Sequence, residues 1–154
     1  MERALRFIYS AILAAALASS AAPAFADDKA DMEAFMNEYL KVWNAHDAAA
    51  ITSRYYRLEG DHPWSTEAGM KAEFDRLTAQ GYDKSDIQSV IGCVTGPDTG
   101  QVELRYVRLK TDGSFMPPKD RISLYRVKKF ADGWRVTGFS ALAAGTKMEC
   151  PKAG

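Results

Sequence analysis

Asp61 and His62 stand side by side just before Pro63, and either could move a proton. An imidazole titrates near neutral pH, and a carboxylate can be tuned upward by burial. The same pair also suits a surface turn in which Asp61 satisfies backbone donors. Cys93 and Cys150 are the thiols of the chain. They read either as a disulfide or as two separate thiols, one buried in a strand and one in a loose tail. His46 and His62 are the only imidazoles, so a histidine-rich metal centre is excluded and no metal is expected. No G-x-S-x-G, H-E-x-x-H or phosphate-binding loop occurs, and no cofactor is expected. Arg105, Arg108, Arg121, Arg126, Lys128 and Lys129 cluster late in the chain, with Glu103 and Asp120 between them. They suit a solvated sheet face or cross-strand ion pairs. An anion-binding role is the alternative. Of these residues, Arg105 and Arg121 are expected to face inward.

The chain has 154 residues, 47% of them hydrophobic, with 20 basic and 20 acidic side chains. That length predicts one domain, and balanced charge argues against a nucleic-acid partner. Arg3 and Arg6 precede an apolar run from Phe7 to Leu17, and Ala24-Phe25-Ala26 supplies an A-x-A cleavage pattern. Together they predict a secretory signal peptide over 1–26 and a mature start at Asp27. An N-terminal membrane anchor is the alternative, but the apolar core is short for a span of about 20 residues. No membrane association is expected after cleavage, and the location is periplasmic or secreted. An oxidising compartment favours pairing of Cys93 with Cys150, which would contribute roughly 4 kcal/mol in the chain-entropy model.

The elements that must position these residues follow from periodicity. Met32, Phe35, Met36, Tyr39, Leu40 and Trp43 form one helical stripe over 31–45, with Asp31 as the expected N-cap. Asp47 caps a second helix, from Ala48 to about Tyr56. Ser65 or Thr66 caps a third, which carries Met70, Phe74 and Leu77 inward and ends at Gly81. Strands follow at 87–95, 101–110, 120–130 and 134–142, separated by turn clusters rich in Gly, Pro and Asp. On the second strand Val102, Leu104 and Tyr106 alternate with Glu103, Arg105 and Val107. The domain spans 27–142, and 143–154 is a tail, loose except where Cys150 ties it down. Three helices and then an antiparallel meander is an α+β order, with the helices covering one sheet face.

Two segments carry a family likeness. Glu38–Ile51 contains Trp43-Asn44-Ala45-His46-Asp47, and Lys129–Val136 contains Asp132-Gly133-Trp134-Arg135. They resemble the W-N-A-x-D and D-G-W-R patterns of the nuclear transport factor 2-like superfamily, which includes ketosteroid isomerases and polyketide-cyclase-like proteins. The resemblance implies three N-terminal helices packed in the concave face of a strongly curved antiparallel sheet, a cone-shaped α+β barrel with a pocket inside. It also implies catalytic candidates. Tyr39 matches the isomerases' oxyanion donor, five residues before Asn44. Asp61 and His62 occupy the region of their base before Pro63. The strand matching their third group carries Ser123 and Tyr125 instead of Asp.

Tyr55, Tyr56, Trp64 and Tyr82 would surround the implied pocket mouth and could clasp a flat ligand, or simply close the gap between helices and sheet. The expected ligand-binding set is Tyr55, Tyr56, Trp64, Arg105, Arg121 and Tyr125. The leading expectation is an exported single-domain pocket protein that binds a small apolar or aromatic molecule. One alternative is an isomerase- or cyclase-type enzyme working by acid–base proton transfer. Another is a non-catalytic interaction domain that forms a homodimer.

Overall fold

The computed structural model of the chain describes residues 22–150, with side chains from residue 27 onward. The expected leader at 1–26 lies outside these, apart from the backbone of 22–26. The order is α1 (Ala22–Asn44), α2 (Ala48–Ala50), a π-helical turn (Ile51–Tyr55), a 3-10 turn (Pro63–Ser65), α3 (Glu67–Ala79), β1 (Tyr82–Val94), β2 (Thr99–Lys110), β3 (Arg121–Phe130) and β4 (Gly133–Leu142). The strands form one antiparallel meander in chain order. Register shifts at Tyr82/Lys84, Ile87/Ser89 and Arg126/Val127 mark where the curved sheet bends. β1 and β4 do not pair with each other, so the expected barrel is an open sheet.

The α1 stripe drives the packing. Met32, Met36, Tyr39, Leu40 and Trp43 are buried, and Phe35 packs half-buried beside them. Met32 lies directly on Gly100 of β2, where a Cβ would fall 2.1 Å from its sulfur. Glu33 accepts from the Gly92 backbone N–H at 2.8 Å, tying α1 to β1. The helix begins before Asp31, which is therefore an exposed interior residue and not its cap.

The second helix is shorter than its sequence suggests. Asp47 does cap it, accepting from Ala50 N at 2.9 Å. The Thr52 and Ser53 hydroxyls then bond back to the carbonyls of Ala48 and Ala49. Such back-bonding competes with the helical ladder, and the chain widens until Tyr56 N reaches Ile51 O at 3.0 Å. The next residues run along β4, with Arg57 N donating to Val136 O and Glu59 N to Thr137 O. They cover what would otherwise be a free sheet edge.

Thr66 caps α3 by accepting from Gly69 N, and Gly81 follows its end at φ 86°. β1 starts at Tyr82, five residues before the expected Ile87. Its first residues are mostly polar and exposed, so alternation does not reveal them, yet they pair with the end of β2. Asn44 secures this stretch through both of its amide atoms: it accepts from Ser85 N and donates to Ser85 O, each at 2.9 Å.

Cys93 and Cys150 form a disulfide, with Cα atoms 5.6 Å apart. The tail lies along the outer sheet face. Met148 N donates to Glu103 Oε2 at 2.7 Å, and Arg105 Nη2 donates to Thr146 O at 2.5 Å. Glu103 is thereby only 2% exposed. Among the described residues no helix is long and apolar enough to cross a membrane.

Candidate functional site

A cavity of about 320 Å³ opens between the helices and the concave sheet face. Strand parity sets its sheet wall. Tyr106 faces Arg121 across the β2–β3 ladder, Leu104 faces Ser123, and Tyr125 pairs with Val102 on one side and Phe139 on the other. Side chains two apart share a face, so Leu104, Tyr106 and Arg108 of β2 all point inward with Arg121, Ser123 and Tyr125 of β3. Ser140 and Ala141 are exposed at the mouth.

The helical wall brings Leu40 and Trp43 from α1 and Trp64 from the 3-10 turn. Trp43 Nε1 donates to the Tyr82 hydroxyl at 2.9 Å, and that hydroxyl is 2.9 Å from Ser85 Oγ. Trp64 stacks on Phe139 with centroids 4.9 Å apart. Its turn can lie against α3 because residue 69 is glycine: a Cβ there would fall 1.9 Å from the Pro63 carbonyl oxygen. His62 supports the same turn, its Nδ1 accepting from Trp64 N at 3.1 Å. The His62 ring stands edge-on to Trp64 and Phe139 and outside the cavity lining.

The cavity has an apolar, aromatic side and a basic end. Arg108 and Arg121 occupy that end with Ser85 and Ser123, and among the described residues no Asp or Glu lines the cavity. Burial lowers the pKa of Arg121, and the nearby Arg108 charge lowers it further. Arg121 Nη2 donates to Pro117 O at 2.6 Å.

Tyr39 lies behind this cavity in closed core, 1% exposed, with its hydroxyl 2.6 Å from that of Tyr56. Its ring is 5.7 Å from those of Tyr55, Tyr56 and Tyr125. Burial pushes the Tyr39, Tyr56 and Tyr125 phenols well above the usual range, and each is close enough to another phenol for its charge to add to the effect.

Of the expected ligand-binding residues, Trp64, Arg121 and Tyr125 meet at the cavity. Tyr55 is half-buried against Phe35, and Tyr56 is buried; neither lines it. Tyr82 is closed into the core. Arg105 lies on the opposite sheet face, bonded to Glu103 at 2.6 Å. Asp61 is exposed, and none of Tyr39, Asp61 and His62 lines this cavity. Tyr106 and Phe139 line the cavity outside the expected ligand-binding set, and Arg108 joins them from the basic cluster for which anion binding is the alternative. Counting two residues at a time from Leu104 is the signal that finds Tyr106 and Arg108. Among the described residues no group of three His, Cys, Asp or Glu could hold a metal ion.

A family model described as "NTF2-like protein (DUF6841)" matches residues 60–144. Among solved structures, an NTF2-like protein with a cystatin-like fold from Novosphingobium aromaticivorans is 18% identical, with 82% of this chain and 88% of that one covered and a TM-score of 0.58. An NTF2-like superfamily protein from Salmonella enterica serovar Typhimurium is 14% identical, with coverage of 84% and 99% and a TM-score of 0.56. A putative aromatic ring hydroxylase from Novosphingobium aromaticivorans is 14% identical, with coverage of 76% and 94% and a TM-score of 0.52. At these identities the likeness concerns the fold alone. No curated protein matches the chain.

Proposed function

Because the chain belongs to the NTF2-like family DUF6841, whose fold is a common host for ligand pockets, we propose that it is an exported domain that binds a compact apolar or aromatic molecule without transforming it. One observation carries this reading: Trp43, Trp64, Tyr125 and Phe139 converge on a cavity of about 320 Å³. That volume is at the small end of the range for ligand pockets, roughly 300–1,000 Å³, so it suits a small ring system. Proton transfer and oxyanion stabilisation must act on one bound substrate. With neither Tyr39 nor Asp61 lining this cavity, the acid–base alternative has no comparable support. Export is supported by the leader pattern and by the disulfide, which persists in oxidising compartments.

Calorimetric titration of the native protein with 2-naphthoate and with 2-naphthamide tests the pocket. At least one of them should bind at a single saturable site. Ala141→Phe, at the exposed mouth, should weaken that binding, and Tyr39→Phe should leave it unchanged. Saturable binding of neither compound, or binding indifferent to Ala141→Phe, overturns the reading.

A further inference from the structure

Resting on that pocket reading, we propose that the natural ligand is an aromatic carboxylate, its anion gripped by Arg108 and Arg121 and its ring against the aromatic wall. Neither arginine makes an ion pair among the described residues. The Nε atoms of both are buried and have no hydrogen-bond partner. Three other guanidinium groups do pair with a nearby acid: Arg76 with Glu73, Arg105 with Glu103, and Arg135 with Asp132. Asp120, next to Arg121 in the chain, is exposed and outside the cavity.

Two cations at one end of a cavity, each with a buried Nε lacking a partner and with no acid among the described lining residues, are a costly arrangement. The Tyr82 and Tyr106 rings, 5.4 and 5.9 Å from the Arg108 guanidinium, offset that cost only in part. A ligand anion would relieve both the repulsion and the unmet donors. The planar guanidinium fork matches a carboxylate in two parallel hydrogen bonds. Arg121 keeps its position through the Pro117 carbonyl at 2.6 Å, and Ser123 offers a hydroxyl beside it. Away from the arginines the wall is aromatic, with Trp64 stacked on Phe139, which selects a flat ring as the body of the ligand.

The test compares 2-naphthoate, 2-naphthamide and inorganic phosphate by calorimetry on the native protein at low salt. The carboxylate should bind roughly tenfold or more tighter than the amide, as expected for charge-assisted hydrogen bonds. Phosphate alone should bind much more weakly than naphthoate. Arg108→Gln should shrink the preference several-fold, because the carboxylate loses more affinity than the amide while Arg121 remains. If that variant folds poorly, the wild-type ratio of the two affinities decides. Equal binding of amide and carboxylate would overturn the proposal and leave the pocket reading standing. Phosphate binding as tightly as naphthoate would also overturn it, in favour of a bare anion site. Saturable binding of neither naphthalene compound would overturn both readings together.

Discussion

Replacing Gly100 by alanine should loosen the seat of α1 on the sheet, and the cost can be worked from the contact. The new methyl would fall 2.1 Å from Met32 Sδ, 2.9 Å from its Cε and 3.1 Å from the Cys93 carbonyl oxygen. Ordinary carbon contacts lie at about 3.5–4.0 Å, so Met32 must retreat by more than an ångström. Met32 is fully buried within the main core cluster and has little room to do so. Overpacking of this kind costs about 1–3 kcal/mol. Alanine also restricts the unfolded chain, which offsets about 0.4–1 kcal/mol. The net expectation is a loss of up to about 2.5 kcal/mol, read as a lower urea midpoint at unchanged slope. Met32→Ala alone should cost about 2–5 kcal/mol through the cavity it leaves. In that background Gly100→Ala grows into vacated space, so its own cost should vanish or change sign. A double-mutant cycle that came out additive would refute the reasoning, because the cost would then lie in the strand and not in the helix seat.

Alkali provides a second test. The Tyr39, Tyr56 and Tyr125 phenols are held above their usual pKa by burial, while an unfolded chain releases such protons at about pH 10. Above that pH the unfolded state binds fewer protons, so stability is complete below about pH 10 and falls as pH rises further. Phenolate absorbance should therefore lag for these residues and rise together with loss of circular dichroism. Ionisation of every tyrosine near pH 10 with native dichroism intact would contradict this. The third test is processing: exported protein should begin at Asp27 by N-terminal sequencing and show no reactive thiol before reduction. A start at Met1 would remove the leader.

Much of this fold is legible in the sequence because it rests on local rules. The i, i+3, i+4 stripe from Met32 to Trp43 is the buried face of α1, Thr66 caps α3, and Gly81 ends it. The turn clusters separate strands that pair in chain order. What stays hidden depends on partners distant in sequence. Residues 82–86 carry mostly polar side chains, and only the β2 ladder and the Asn44 clamp make them a strand. The π-helical turn arises from two hydroxyls competing with backbone donors, which periodicity does not register. At the site, the β2 alternation already places Arg105 opposite Leu104 and Arg108 with it. Charge clustering without that parity gives no direction to any of the arginines. Tyr39 was placed by its spacing to Asn44, but whether its hydroxyl meets a cavity or Tyr56 depends on the π-helical turn that delivers Tyr56.

The strap formed by the tail also imposes an order of events on a growing chain. Each strand pairs with the one before it, so β1 to β4 can zip up progressively as they emerge. Cys150 lies beyond all of them, and its partner Cys93 lies in the first strand of the sheet. The bridge can close only after β4 has been synthesised, and closing it brings the tail over Glu103. The disulfide thus works as a latch on a finished assembly. A chain interrupted before Met148 would keep the Cys93 thiol free and leave the Glu103 carboxylate uncovered, two chemical marks by which it could be told from one that carries the latch.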